Sequence, residues 1–156
     1  YLEVLQSNHH AVSIYSKNGF FVQREYSVLT ASGPGHGWNN HIAVIPYQDF
    51  TSFSTRFSVE PSFEHTSYTI NQNPQLFEVL YLNDQAYCIY AKRHGEIIQM
   101  HYNELDALKD VVSALINRYP SAMAKNIDCA CCDVIQMLID IGFVEITKQY
   151  EMARII

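Results

Sequence analysis

Three short apolar segments joined by tight turns constrain the fold of this chain more than any other feature. The segments are Phe77–Leu82, Ala86–Ala91 and Glu96–Tyr102. Asn83-Asp84 separates the first two and His94-Gly95 separates the last two, and both dipeptides are typical of β-turns. Connections this short join antiparallel neighbours, because a parallel crossover needs a dozen residues or more. The sequence therefore predicts a three-stranded antiparallel meander.

Predicted helices and strands alternate around this meander. A long amphipathic helix is expected to begin at an Asn103 cap and to end before Pro120, with an apolar face formed by Leu105, Leu108, Val112, Leu115, Ile116 and Tyr119. The segments predicted after it are a strand at Asn126–Ala130, a helix at Asp133–Ile141 closed by Gly142, and strands at Phe143–Ile146 and Tyr150–Ile156. The segments predicted before the meander are a strand at Ile42–Ile45, a helix at Asp49–Ser58 and an irregular or short helical stretch at Glu60–Asn73. Together they predict an α+β fold with a central, mostly antiparallel sheet flanked by helices.

The first thirty residues have their own strand-helix-strand pattern. Leu2–Leu5 is a predicted strand, and Ser7 or Asn8 can cap the helix that follows. Gly19 is expected in the left-handed conformation that ends this helix. The helix carries an apolar stripe, and a second strand follows it; the stripe consists of Ala11, Val12, Ile14 and Tyr15.

One spaced motif in this pattern resembles the C-terminal signature of the GCN5-related N-acetyltransferases, the GNAT superfamily. The motif is N-x-x-A-x-x-x-Y-x-K-x-G-F, filled here by Asn8, Ala11, Tyr15, Lys17, Gly19 and Phe20. The resemblance implies transfer of an acetyl group from acetyl-CoA to an amine. It implies that Asn8 helps to hold the acyl-CoA, and that the Tyr15 hydroxyl donates a proton to the departing CoA thiolate. The residues alone, without the motif, favour Asn8 as a plain helix cap and Tyr15 as a tyrosine at the edge of the core.

The end of the chain repeats the order of its beginning. Gly142-Phe143 follows Gly19-Phe20 by 123 positions, and each pair lies between a predicted helix and a predicted strand. We therefore expect the C-terminal part of a tandem GNAT protein, an expectation that agrees with the lack of an initiator Met. Residues 1–30 would end a first GNAT domain, residues 31–41 would be a linker, and residues 42–156 would form a second, degenerate GNAT-like domain.

The second copy departs from the family where chemistry is needed. At the same shift, Leu138 replaces Tyr15 and Cys131 replaces Asn8. The family's acyl-CoA loop is rich in glycine, but Gln99–Asp106 contains none, and its two carboxylates would repel a pyrophosphate. We expect this chain alone to be inactive in acetyl transfer. The alternative function is a non-catalytic interaction or dimerisation module, a homodimer included.

Composition narrows the range of partners. A net charge of −6 argues against nucleic acid, and no apolar run approaches the roughly 18 residues of a membrane span. The four cysteines are expected to be reduced thiols that bind no metal, which indicates the cytoplasm; they are Cys88, Cys129, Cys131 and Cys132.

His101 and Tyr102, at a predicted strand end, are either a general base with its neighbour or ordinary structural residues.

Overall fold

Eight strands of the computed structural model form one sheet. The structure describes residues 1–35, 37, 40–51 and 58–155. Within them the strands are β1 (Leu2–Leu5), β2 (Phe21–Ala31), β3 (Ala43–Pro46), β4 (Phe77–Leu82), β5 (Ala86–Ala91), β6 (Glu96–Tyr102), β7 (Met123–Asp128) and β8 (Phe143–Ala153). The α-helices are α1 (His9–Lys17), α2 (Ser67–Gln72), α3 (Leu105–Arg118) and α4 (Cys132–Asp140). The strand order is β1-β8-β2-β7-β6-β5-β4-β3, so the predicted α+β class with a mostly antiparallel sheet is confirmed.

The predicted meander is confirmed at its predicted boundaries as β4, β5 and β6, which pair antiparallel in that order. Helix α3 packs across these strands and buries one face in the main core, where Leu108, Val111 and Leu115 lie in one cluster with Leu80 and Cys88. Fully burying a Val or Leu side chain contributes about 1.5–3 kcal/mol. The local turn chemistry and the helical apolar face therefore act together to set this half of the sheet.

Several predicted helix and strand boundaries are wrong by a few residues, and the clearest case is the start of α3. Asn103 is not its cap, because the Asn103 side-chain amide donates to the carbonyl oxygen of Asp84 over 2.6 Å. Glu104 occupies the cap position and makes no capping hydrogen bond with its side chain. A tertiary contact to the preceding turn thus displaces the local one. Helix α4 and strand β7 both begin before their predicted first residues, at Cys132 and Met123.

The prediction of two separate C-terminal strands is wrong, because β8 is a single strand of 11 residues. Its middle, Thr147 to Gln149, has no apolar side chain and so interrupts the apolar pattern on which the two strands are predicted. β2 pairs with β8 from Phe21↔Ala153 to Ala31↔Phe143, and this ladder holds the polar middle in the strand. Long-range pairing therefore overrides local composition.

The region between β3 and β4 contains short helical turns. Most of the helix predicted at Asp49–Ser58 lies outside the described residues, and a single 3₁₀ turn covers Tyr47–Asp49. The short helix expected within Glu60–Asn73 is α2, which follows another 3₁₀ turn at Phe63–His65.

The strand pairing has an internal two-fold pattern. Leu5 pairs with Gln149 and Tyr26 pairs with Asp128, and a shift of 123 positions converts one pair into the other. The same shift relates Val4↔Tyr150 to Ser27↔Ile127, Glu25↔Tyr150 to Ser27↔Lys148, and Arg24↔Glu151 to Val28↔Thr147. The repeat seen in the sequence is therefore also a repeat in hydrogen-bond register. Its approximate axis passes between Tyr26 and Gln149, which face each other.

A buried ion pair lies beside this axis. Arg24 donates through Nε and Nη2 to both carboxylate oxygens of Glu151, at 2.8 and 2.9 Å, and Tyr26 donates its hydroxyl to the same carboxylate at 2.9 Å. Glu151 is fully buried. Burial alone would raise the pKa of Glu151, but the hydrogen bonds from Arg24 and Tyr26 hold that pKa below its ordinary value. The carboxylate is thus kept charged because its partners satisfy both of its oxygens.

A second polar contact on the axis is incompletely satisfied. Asn126 follows Glu3 by 123 positions, and its Nδ2 donates to Glu3 Oε2 over 2.7 Å. The other oxygens of these groups, Glu3 Oε1 and Asn126 Oδ1, are buried and accept no hydrogen bond from the described residues. Burial, reinforced by the negative charge of Glu64, raises the pKa of Glu3. Folding therefore makes Glu3 harder to deprotonate than it is in the unfolded chain.

We expect Glu3→Gln to raise the free energy of unfolding by about 1 kcal/mol at pH 7, because the new amide can donate to Asn126 Oδ1. In the wild-type chain, the raised pKa of Glu3 adds to the free energy of unfolding, and this contribution is complete below the ordinary pKa of 4.5. It is lost as pH rises through the raised pKa of the folded state. The advantage of the glutamine should therefore grow with pH. Urea unfolding between pH 4 and pH 8 measures it, with Glu104→Gln as the control, and equal effects of the two substitutions would contradict this account.

Candidate active site

Helix α1 carries the two residues that the sequence selects, and its local geometry follows the prediction. Asn8 is the cap, and its Oδ1 accepts from the backbone N–H of Ala11 over 3.1 Å. Gly19 has a φ of +82° just beyond the end of the helix, as predicted for its terminating residue. The Asn8 side-chain nitrogen makes no hydrogen bond within the described part of the chain. One end of this amide is therefore used for folding, and the other is free for a ligand.

Tyr15 lies in the last turn of α1 and is half-buried. Its ring packs edge-on against Phe20, with 5.9 Å between the ring centroids. Its hydroxyl makes no hydrogen bond to any described residue. The side chain is thus held by its ring while its proton donor is unengaged.

Helix α4, at a shift of 123 positions from α1, lacks these groups. Cys131 is the cap residue of α4, as Asn8 is of α1, and it makes no capping hydrogen bond with its side chain. Leu138, at the position of Tyr15, is fully buried. Asn8 and Cys131, 123 positions apart, thus take the same place at the start of α1 and α4, and Leu138 has no hydroxyl where Tyr15 has one.

A wedge opens beside α4 where β6 and β7 separate. These two strands form the parallel pair of the sheet, and they pair only at Glu96↔Met123 and Ile97↔Ala124. Beyond those residues the strands diverge, which leaves backbone groups of β6 without a strand partner. A wedge of this kind is a natural ligand site, because unpaired backbone N–H and C=O groups line it.

In this chain a neighbouring segment fills the wedge. Ser58 accepts from the N–H of Tyr102 at 3.1 Å and donates to the Tyr102 carbonyl at 2.9 Å. Gln99 Nε2 donates to the carbonyl of His65 at 2.7 Å, and Asn126 Nδ2 donates to Ser62 at 3.3 Å. The remaining cavity beneath this segment is about 10 Å³, close to the size of one water molecule. The end of β6 is therefore satisfied from within the chain.

The mouth of the wedge, between α3 and α4, is acidic. A pocket of about 310 Å³ opens there, lined by Leu105, Asp106, Lys109, Asp133, Gln136, Met137 and Asp140. Three carboxylates face one ammonium group, so a pyrophosphate would be repelled. The Tyr102 hydroxyl spans the mouth and donates to Asp133 over 2.8 Å; burial and this hydrogen bond raise the pKa of Tyr102 to about 12.

The environment of His101 favours the structural reading over the general base. His101 is buried, its Nδ1 lies 3.0 Å from Ser58 Oγ, and its ring lies 5.5 Å from that of Tyr87. A base for an acceptor amine needs an open approach, which this packing does not provide.

Three other features of the described residues complete the description of the chain. No group of three or more His, Cys, Asp and Glu side chains is arranged to hold a metal ion. All four cysteines are unpaired thiols. In the same ranges no helix has the length and apolar character needed to cross a membrane.

Sequence reasoning missed the residues that close the wedge. Ser58 contacts Tyr102 across 44 positions, and no local pattern marks such a contact. Asp133 and Asp140 were accessible to a sequence argument, because residues seven apart share a face of a predicted helix.

The sheet with its one splayed parallel pair and its flanking helices defines a class: this is the GNAT-like, or acyl-CoA N-acyltransferase, fold. A crystal structure from Pyrococcus horikoshii, of a protein provisionally described as an acetyltransferase, superposes with a TM-score of 0.74 at 8% identity, covering 96% of this chain and 51% of that one. A GCN5-related N-acetyltransferase from Sphaerobacter thermophilus superposes with a TM-score of 0.54 at 10% identity, covering 96% and 57%.

At such low identity the likeness shows the fold, and the chain spans just over half the length of either structure. No model of a known family matches the sequence, and no curated protein matches it significantly.

We expect Ser58→Ala to lower the free energy of unfolding by about 1–3 kcal/mol, because the Tyr102 N–H and C=O lose their shared partner. Urea unfolding measures the loss. Ser16→Ala, on the exposed side of α1, is the control and should change stability by less than about 0.5 kcal/mol. Indistinguishable effects of the two substitutions would show that the segment does not secure β6.

Proposed function

We propose that this chain is the C-terminal part of a tandem N-acetyltransferase that transfers an acetyl group from acetyl-CoA to an amine. Residues 1–30 would complete the catalytic first copy, and residues 42–156 would be a second copy without catalysis. The observation that carries the proposal is the paired register of β1, β2, β7 and β8. This register supports the equivalence of Tyr15 and Leu138 in the proposed repeat.

In the proposed reaction, Asn8 and Tyr15 act by being correctly placed beside the thioester of acetyl-CoA. The acceptor amine attacks the thioester carbonyl, and a base or a water relay takes its proton. The carbon–sulfur bond then breaks, and Tyr15 donates its hydroxyl proton to the CoA thiolate. The free side-chain nitrogen of Asn8 would hold the acyl-CoA near this bond. The role of Tyr15 is supported by its hydroxyl, which has no hydrogen-bond partner among the described residues. The role of Asn8 is supported by its capping bond, which uses only the side-chain oxygen.

The second candidate function is a non-catalytic module that packs on a catalytic copy or on a second copy of this chain. The filled wedge favours it. Ser58 occupies both backbone groups of Tyr102, and Asp106, Asp133 and Asp140 line the mouth. Both functions can hold in one protein, since they fall on different parts of the chain. The cytoplasm remains the compartment that we propose for it.

The isolated 156-residue chain should neither bind nor use acetyl-CoA. With 1 mM acetyl-CoA we expect no increase in its melting temperature, whereas occupancy at one hundred times Kd would add about 2.7 kcal/mol of stability. Chromatographic detection of CoA with a panel of primary amines should show no release. The full-length protein, tested in parallel, should show both effects. Turnover by the isolated chain would contradict the proposed silence of the second copy.

In the full-length protein, Tyr15→Phe should lower kcat by about 10²–10⁴-fold with little change in KM, because it removes only the proton donor. The ring contact with Phe20 is kept, so the melting temperature should hold. Tyr68→Phe is the matched control, since Tyr68 is exposed on α2. An unchanged kcat for Tyr15→Phe would remove Tyr15 from the mechanism.

A further inference from the structure

The two helices of the internal repeat differ in what covers them. In α4, Val134, Met137 and Leu138 are buried and lie in one apolar cluster with residues of α3, which packs on this helix. No residue of α1 is buried. Its Ile14, equivalent to Met137, is 44% exposed although it belongs to the apolar stripe of the helix. The stripe that α3 covers on α4 is thus only partly covered on α1, where Ile14 is exposed.

The two strands of the repeat that precede these helices differ in the same way. β7 lies between β2 and β6, whereas its equivalent β1 lies at the edge of the sheet and pairs with β8 alone. Apolar side chains flank this edge: Tyr1 is 69% exposed and Leu5 is 42% exposed. An open edge strand beside an uncovered apolar helix is a surface prepared for pairing.

From this comparison we infer that β1 and α1 together form a docking surface for a strand–helix unit. By the shift of 123 positions from the pair Ile97↔Ala124, the strand would pair in parallel at Tyr1, directly before β1. The amphipathic helix following it would cover Ala11 and Ile14. The internal repeat specifies the occupant, because β6 and α3 occupy the equivalent places on β7 and α4. The inference rests on the proposed tandem protein, whose first copy would supply this unit.

The lengths of the superposed structures agree with such an occupant. This chain covers 51% of one and 57% of the other, so each has a second portion of similar size. The surface also continues an interface that already exists, since β1 is hydrogen-bonded to β8 and α1 connects β1 to β2. A strand added at β1 would extend the same sheet rather than create a separate contact.

Carbene footprinting of the full-length protein and of the isolated 156-residue chain tests this surface. We expect residues 9–17 to be labelled strongly in the isolated chain and to be protected in the full-length protein. Ile14→Asp should lower the melting temperature of the full-length protein by about 4–8 °C, because it buries an unpaired carboxylate. The same change should shift the isolated chain by less than about 2 °C, since Ile14 is exposed there.

Ser13→Asp is the matched control, because it places the same charge on the exposed side of α1. Equal labelling of α1 in both proteins, or equal melting shifts for Ile14→Asp in both, would overturn the docking surface. Acetyl-CoA turnover distinguishes this failure from that of the proposed function. If α1 is protected in a protein that shows no turnover, the docking surface is supported and the proposed acetyltransferase function is contradicted. If the protein shows turnover but α1 is not protected, the function is supported and the docking surface is contradicted.

Discussion

The long antiparallel ladder between β2 and β8 is the interaction on which the rest of this structure depends. It joins residues from the first thirty positions to the last eleven residues of the sheet, and it buries the Arg24–Glu151 ion pair beside the internal two-fold axis. A buried ion pair adds little stability relative to apolar packing, but removing one partner leaves a costly uncompensated charge. The pair therefore fixes register: a slip of one residue would turn Glu151 to the opposite face of the sheet.

The same region of the sheet joins the two ends of the chain. β2 pairs with β7, and β1 pairs with β8, so the first thirty residues and the C-terminal strands share one sheet. This arrangement makes α1 part of the same body as the wedge between β6 and β7. The two regions differ in their contacts: among the described residues the Tyr15 hydroxyl has no hydrogen-bond partner, while Ser58 and its neighbours fill the wedge.

Unpaired backbone groups and acidic side chains together explain why a segment of the chain, rather than an anionic ligand, fills the wedge between β6 and β7. A splayed parallel pair leaves backbone groups that need partners, and a ligand or a chain segment can supply them. Here the chain supplies them, and the acidic mouth disfavours an anionic ligand. Once Ser58 binds Tyr102, the segment that follows is positioned for the contacts of Ser62 and His65 with β7 and β6. The features form one cooperative unit.

The sequence by itself determined what local rules control. It predicted the meander, the Asn8 cap, the left-handed glycines that end α1 and α4, and the 123-residue repeat, because turn chemistry and helical periodicity act over a few residues. Only the tertiary structure decided the rest. It joined two predicted strands into β8, moved Asn103 from a cap to a contact with Asp84, and brought Ser58 to Tyr102. Each of these outcomes depends on partners dozens of positions away or on a neighbouring strand, and hydrogen bonds of that kind leave no periodic trace in the sequence.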